Sequence, residues 1–97
     1  MSGKIKVTVG ICIKDAEKMI RKALTSVLGQ DFPHKLMEII VVDGCSEDRT
    51  LSIVKGILSK QNIKHKILQE SIGLGFARNL VVDNASGDYI VWVDGDM

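Results

Sequence analysis

Three runs of aliphatic and β-branched residues limit the folds open to this chain. They are IKVTVGICI at residues 5–13, MEIIVVD at 37–43 and DYIVWVD at 88–94. Each is nearly continuous in apolar character. A strand with one wet face alternates, whereas a continuously apolar strand is covered on both faces, as in a parallel sheet between helical layers. A fourth run, NIKHKILQ at 62–69, does alternate, with Ile63, His65 and Ile67 set against Lys64, Lys66 and Leu68. That pattern suits an edge strand on which His65 faces solvent.

Helical periodicity fills the gaps. Residues 16–28 place Ala16, Met19, Ile20, Ala23, Leu24, Val27 and Leu28 at i, i+3, i+4, i+7 spacing. Asp15 is positioned to cap this helix and Gly29 to end it. Residues 50–59 carry Leu51, Val54 and Leu58 on one face, after Ser46 as a candidate cap. Residues 76–85 carry Ala77, Leu80, Val81 and Ala85. The order β-α-β-α-β-α-β predicts a three-layer α/β/α architecture with a mainly parallel sheet and right-handed crossovers. No repeat, linker or low-complexity tract divides the chain, so residues 1–97 are read as one domain.

Composition excludes some roles. A net charge of +1 supplies no basic field for nucleic acid. No apolar stretch approaches the ~18 residues of a membrane span, and MSGKIKVTVG lacks a signal-peptide core. A cytoplasmic location is the expectation, with a membrane-associated full-length protein left open. Cys12 and Cys45 lack metal-ligand or redox-motif spacing and read as reduced thiols. They follow neighbouring strands, so a mutual approach is conceivable. His34 reads as solvated.

A parallel sheet aligns the carboxyl ends of its strands, and ligands of open α/β folds bind along that edge. Four segments gather there: CIKDAEK, VDGCSED, GLGFARN and VDGD. They bring Asp15, Glu17, Asp43, Asp94 and Asp96 to one rim, with Arg78 nearby. Each signal is weak alone, since Glu17 is also an ordinary first-turn acid and GLG lacks the third glycine of a dinucleotide fingerprint. Together, clustered carboxylates require a positive partner. Residues i and i+2 of a strand share a side, so Asp94 and Asp96 can face one ion. Oxygen donors of this type suit Mg²⁺ or Mn²⁺, which take further ligands from substrate phosphates.

With those residues in view, the chain resembles the N-terminal half of family 2 glycosyltransferases, which have the GT-A fold. VTVGICIKDAEKMI resembles the family's first strand and Asn-Glu-Glu turn. EIIVVDGCSEDRTLSIV resembles its second strand and acidic nucleotide-binding loop. LGFARN resembles its Gly-x-x-x-Ala-Arg-Asn element, and ASGDYIVWVDGDM resembles the strand that delivers its Asp-x-Asp motif. The resemblance implies strand order 3-2-1-4 and a nucleotide-diphosphate sugar as ligand. It implies that Asp43 contacts uracil or ribose, with Glu17 near the base and Arg78 positioning the nucleotide or its phosphates. It further implies that Asp94 faces the ribose or a metal-bound water and that Asp96 ligates Mn²⁺ or Mg²⁺.

The chain departs from the family at Lys14 and Ala16, within the first turn, and at Gly44, where a second acid is common. The family's acceptor site and catalytic base lie beyond the Asp-x-Asp motif. The chain is therefore expected to hold the donor site of a glycosyltransferase cut after that motif, without the acceptor site and base. Further strands normally cover the fourth, so self-association through residues 88–94 is expected. The alternative is a non-catalytic α/β nucleotide-binding or interaction module.

Overall fold

Seven regular elements alternate along the chain: β1 (Val7–Ile13), α1 (Glu17–Leu28), β2 (Met37–Asp43), α2 (Thr50–Leu58), β3 (Lys64–Gln69), α3 (Leu74–Asn84) and β4 (Tyr89–Asp94). A short 3₁₀ turn, His34–Leu36, leads into β2. The structure, a computed structural model, describes residues 4–94. All four strands are parallel, in the order β3-β2-β1-β4. Register sets Ile13 beside Asp43, Asp43 beside Gln69 and Cys12 beside Asp94, which aligns the carboxyl ends.

The continuous apolar runs have the predicted cause. Every residue of β2 is buried. On one face Ile11, Ile39 and Val41 pack with Ile20 and Leu24 of α1 and with Val54 and Leu58 of α2. On the other, Ile40 and Val42 pack with Ala77 and Val81 of α3. Burying each of these valine, leucine and isoleucine side chains contributes about 1.5–3 kcal/mol relative to exposure. Gly10 of β1 lets α3 and β4 close over the second face. A Cβ there would sit 2.8 Å from Val81 Cγ1 and 3.0 Å from the Trp92 ring.

One buried charge lies at the amino edge of the sheet. Glu38 of β2 is 1% exposed. Its Oε2 accepts the Thr8 hydroxyl at 2.6 Å and the Ser86 amide at 2.5 Å, and Lys64 Nζ stands 3.6 Å from Oε1. A buried carboxylate is tolerated when paired and hydrogen-bonded in this way. The cluster ties β1, β2, β3 and the α3–β4 loop together at the amino edge of the sheet.

Four local expectations are corrected. Asp15 does not cap α1: Ala16 precedes the helix without a side-chain cap bond, and Asp15 takes φ 50°. Ser46 does not cap α2; its hydroxyl is drawn to Asp43 instead. His65 is half-buried on the face of Ile63 and Ile67, with Nδ1 3.0 Å from the Ile63 carbonyl. His34 is half-buried, with Nε2 3.0 Å from the Leu28 carbonyl. Both cysteines are free thiols, as expected.

Among the described residues, β4 pairs only with β1. Tyr89, Val91 and Trp92 are 69%, 49% and 45% exposed. An apolar groove of about 530 Å³, lined by Val27, Phe32, Val91 and Val93, runs between α1 and β4. Among the described residues, no helix is long and apolar enough to cross a membrane.

Candidate functional site

The loops after β1 and β2 interlock at the carboxyl edge. The Asp15 amide donates to Ser46 Oγ at 2.8 Å, and the Glu47 amide donates to Asp15 Oδ1 at 2.7 Å. The Ala16 amide donates to Thr50 Oγ1 at 2.7 Å, and the Glu17 amide to Asp48 Oδ2 at 3.3 Å. Asp48 also accepts the amide and hydroxyl of Thr50 through Oδ1. One acid therefore serves the first turns of two helices, whose amides have no partner inside the helix. The Thr50 hydroxyl bond is the main reason the Asp48 carboxyl is held below its ordinary pKa. Asp15 and Cys45 adopt left-handed φ values of 50° and 61°. Asp15 is fixed there by Ser46 and Glu47, and Cys45 by a thiol bond to the Glu70 carbonyl at 3.3 Å.

The sequence-derived acids are not equally available. Asp43 is 0% exposed. Its Oδ2 accepts the Ser46 amide at 2.9 Å and its Oδ1 the Ser46 hydroxyl at 2.5 Å. Glu17 is half-buried and turned toward α2: Oε1 accepts the Arg49 amide at 3.1 Å, and Oε2 lies 3.9 Å from Arg49 Nε. Arg78 is exposed on α3, its guanidinium 6.0 Å from the Trp92 ring centroid. The β1–β4 register carries Asp94 to the same edge, beside Cys12. The side chain of Asp94 and the whole of Asp96, the expected metal pair, lie outside the described residues. Among the described residues, no group of three or more His, Cys, Asp or Glu is gathered for a metal ion.

Between these loops and the start of α3 lies an open cleft of about 280 Å³. Cys12, Val42 and Ala77 contribute apolar lining, and Lys14, Glu70 and Ser71 contribute polar groups. Burial raises the Cys12 thiol pKa; the nearby Arg78 charge works against this and the Glu70 charge adds to it. Lys14 and Glu70 were absent from the sequence-derived site. Glu70 directly follows the last residue of β3, which sets it at the same edge as Asp15 and Asp43.

The sequence model described as Glycosyl transferase family 2 matches residues 8–97. The chain belongs to this family. Among curated relatives, poly(ribitol-phosphate) β-N-acetylglucosaminyltransferase TarS of Staphylococcus aureus is 39% identical over 93 residues, covering 95% of this chain and 16% of TarS. The solved S. aureus TarS 1–349 in complex with UDP superposes with TM-score 0.85 at 35% identity, covering 95% of this chain and 28% of that one. Mannosyltransferase PcManGT from Pyrobaculum calidifontis, in complex with GDP-Man and Mn²⁺, superposes with TM-score 0.87 at 26% identity, over 98% and 28%. The four-stranded 3-2-1-4 sheet with its flanking helices is thus shared with GT-A glycosyltransferases of family 2. The chain spans well under a third of the length of these relatives.

Proposed function

We propose that this chain binds a nucleotide-diphosphate sugar along the carboxyl edge of the sheet and forms the donor-binding part of a glycosyltransferase. The observation that carries this reading is the cleft at the ends of β1, β2 and β3, next to the end of β4 that leads into the Asp-x-Asp motif. Neighbouring strands lie about 4.8 Å apart, so a nucleotide can span from one to the other. The base would occupy the cleft, while Glu17, turned toward Arg49, stands outside its lining. Asp43 would hold the loop that meets the base or ribose.

The diphosphate would lie toward β4. Arg78 stands on that side, over Trp92, where its guanidinium can pair with phosphate oxygens. Asp94 and Asp96 would hold Mn²⁺ or Mg²⁺, with Asp94 also near the ribose. Their hard oxygen donors match both ions. When bound, the ion would neutralise charge on the departing nucleoside diphosphate. UDP on the TarS structure, and GDP-Man with Mn²⁺ on the mannosyltransferase, support this assignment.

The apolar outer side of β4 supports self-association through residues 88–94, because an uncovered apolar edge is a template for another strand. The reading is tested by thermal shift with a panel of nucleotide-diphosphate sugars and Mn²⁺. Stabilisation by some of the panel is expected, and no response to any of it would overturn the assignment.

A further inference from the structure

Glu70 is the acid best placed to choose the donor's base. Asp43 is fully buried with both oxygens serving Ser46, and Glu17 faces Arg49. Glu70, by contrast, lines the cleft itself. Its Oε1 accepts the amides of Ile72 and Gly73, each at 2.7 Å. These two bonds fix the carboxylate plane. Oε2 is turned toward the β2 end: a Cβ built on Gly44 would lie 3.5 Å from it. Gly44 thus keeps the space before Oε2 open. Among the described residues, no donor meets this oxygen.

A fixed acceptor beside an apolar lining discriminates by hydrogen-bond sense. It rewards a ligand that offers an N–H and penalises one that offers another lone pair, because each lone pair is then left unpaired. At the ring nitrogen of that edge planar bases divide on this property, with the exocyclic amine of cytosine or adenine standing one position aside. Uracil N3 and guanine N1 carry a hydrogen; cytosine N3 and adenine N1 do not. We propose that Glu70 Oε2 accepts the ring N–H of the donor nucleotide's base and selects uracil or guanine over cytosine or adenine. The inference rests on the donor-site reading above and names the residue that sets base preference within it.

The test uses the full chain in Mn²⁺, with calorimetric titration of UDP, CDP, N3-methylated UDP and a base-free probe, ribose 5-diphosphate. UDP and CDP differ little in shape, so their affinity ratio isolates hydrogen-bond sense. In the unaltered chain UDP is expected to bind at least about tenfold more tightly than CDP or N3-methyl-UDP. In Glu70→Gln the amide oxygen can still accept from Ile72 and Gly73 while an NH₂ replaces Oε2. The UDP:CDP ratio should fall toward one or invert, with affinity for the base-free probe unchanged.

Equal binding of UDP, CDP and N3-methyl-UDP by the unaltered chain would overturn the inference and leave the donor-site reading standing. So would a ratio unmoved by Glu70→Gln, or a variant that weakens the base-free probe as much as UDP, since Glu70 would then only brace its loop. If the variant does not fold, the N3-methyl-UDP comparison decides alone. Failure of the unaltered chain to bind any of the four probes would overturn the donor-site reading and the inference with it.

Discussion

The Thr50 hydroxyl accepts the Ala16 amide at 2.7 Å, across 34 residues of sequence. Thr50 is fully buried, and its hydrogen goes to Asp48. This one oxygen therefore joins the starts of α1 and α2 and sets the spacing of the two acidic loops. Thr50→Val keeps the shape and removes the acceptor, leaving the Ala16 amide unpartnered. A loss of about 1–3 kcal/mol is expected, read as a lower urea midpoint with an unchanged slope. A midpoint equal to that of the unaltered chain would show that the loops do not depend on this bond.

Glu38 gives the acid side of the stability profile. Burial raises its pKa, but the Thr8 hydroxyl, the Ser86 amide and the Lys64 ammonium outweigh burial and leave it below its ordinary value. A carboxylate depressed in the folded state adds stability above the unfolded pKa, about 4.3, and loses it as pH falls through the lower folded value. Thermal melts between pH 7 and pH 3 should show Glu38→Gln least stable relative to the unaltered chain near neutrality, with the gap narrowing below pH ~4.3. A constant gap across that range would remove Glu38 as the source.

Arg78 separates binding from folding. Its contact with Trp92 is exposed and contributes only about 0.5–1 kcal/mol, whereas an arginine–phosphate hydrogen bond contributes about 1.5–3 kcal/mol. Arg78→Ala should melt within a few degrees of the unaltered chain yet bind UDP or GDP some tenfold to hundredfold more weakly. Trp92, the chain's one tryptophan, provides the fluorescence signal for both measurements. Unchanged nucleotide affinity would remove Arg78 from the phosphate site.

The layered fold and its strand ends were readable because each depends on short-range pattern. Val9, Ile11, Ile39 and Val41 lie on one side and Ile40 and Val42 on the other, so two-sided burial writes itself into consecutive residues. The helix α1 is equally local, with Ile20, Leu24 and Val27 on its inner face. Loop chemistry is different. Ser46 looked like a cap for α2, but Asp43, three residues earlier, holds both its amide and its hydroxyl. Such short aspartate turns compete with capping. The bonds from Asp15 to Ser46 and Glu47 join residues more than 30 apart and follow only once β1 and β2 are neighbours. The surroundings of Glu70 are likewise partly non-local, set by Gly44 just after β2 and by the Ile72 and Gly73 amides.

The outer side of β4 predicts association. Val91 is half-exposed beside Val93 in the apolar groove, and a charge on an edge strand blocks pairing. Light scattering should show dimers or larger species that Val91→Lys shifts toward monomer. A concentrated solution that stays monomeric without the substitution would rule out association through this edge.

Metal-dependent nucleotide binding at the carboxyl edge is tested most directly by titrating the chain with UDP and GDP in Mn²⁺, then repeating the titration with EDTA in place of the ion. Saturable one-to-one binding of at least one nucleotide is expected, reversed by EDTA and weakened by Asp94→Asn and by Asp96→Asn. The absence of saturable binding by either nucleotide with Mn²⁺ or Mg²⁺ would contradict the account, as would binding that neither EDTA nor the two substitutions alter.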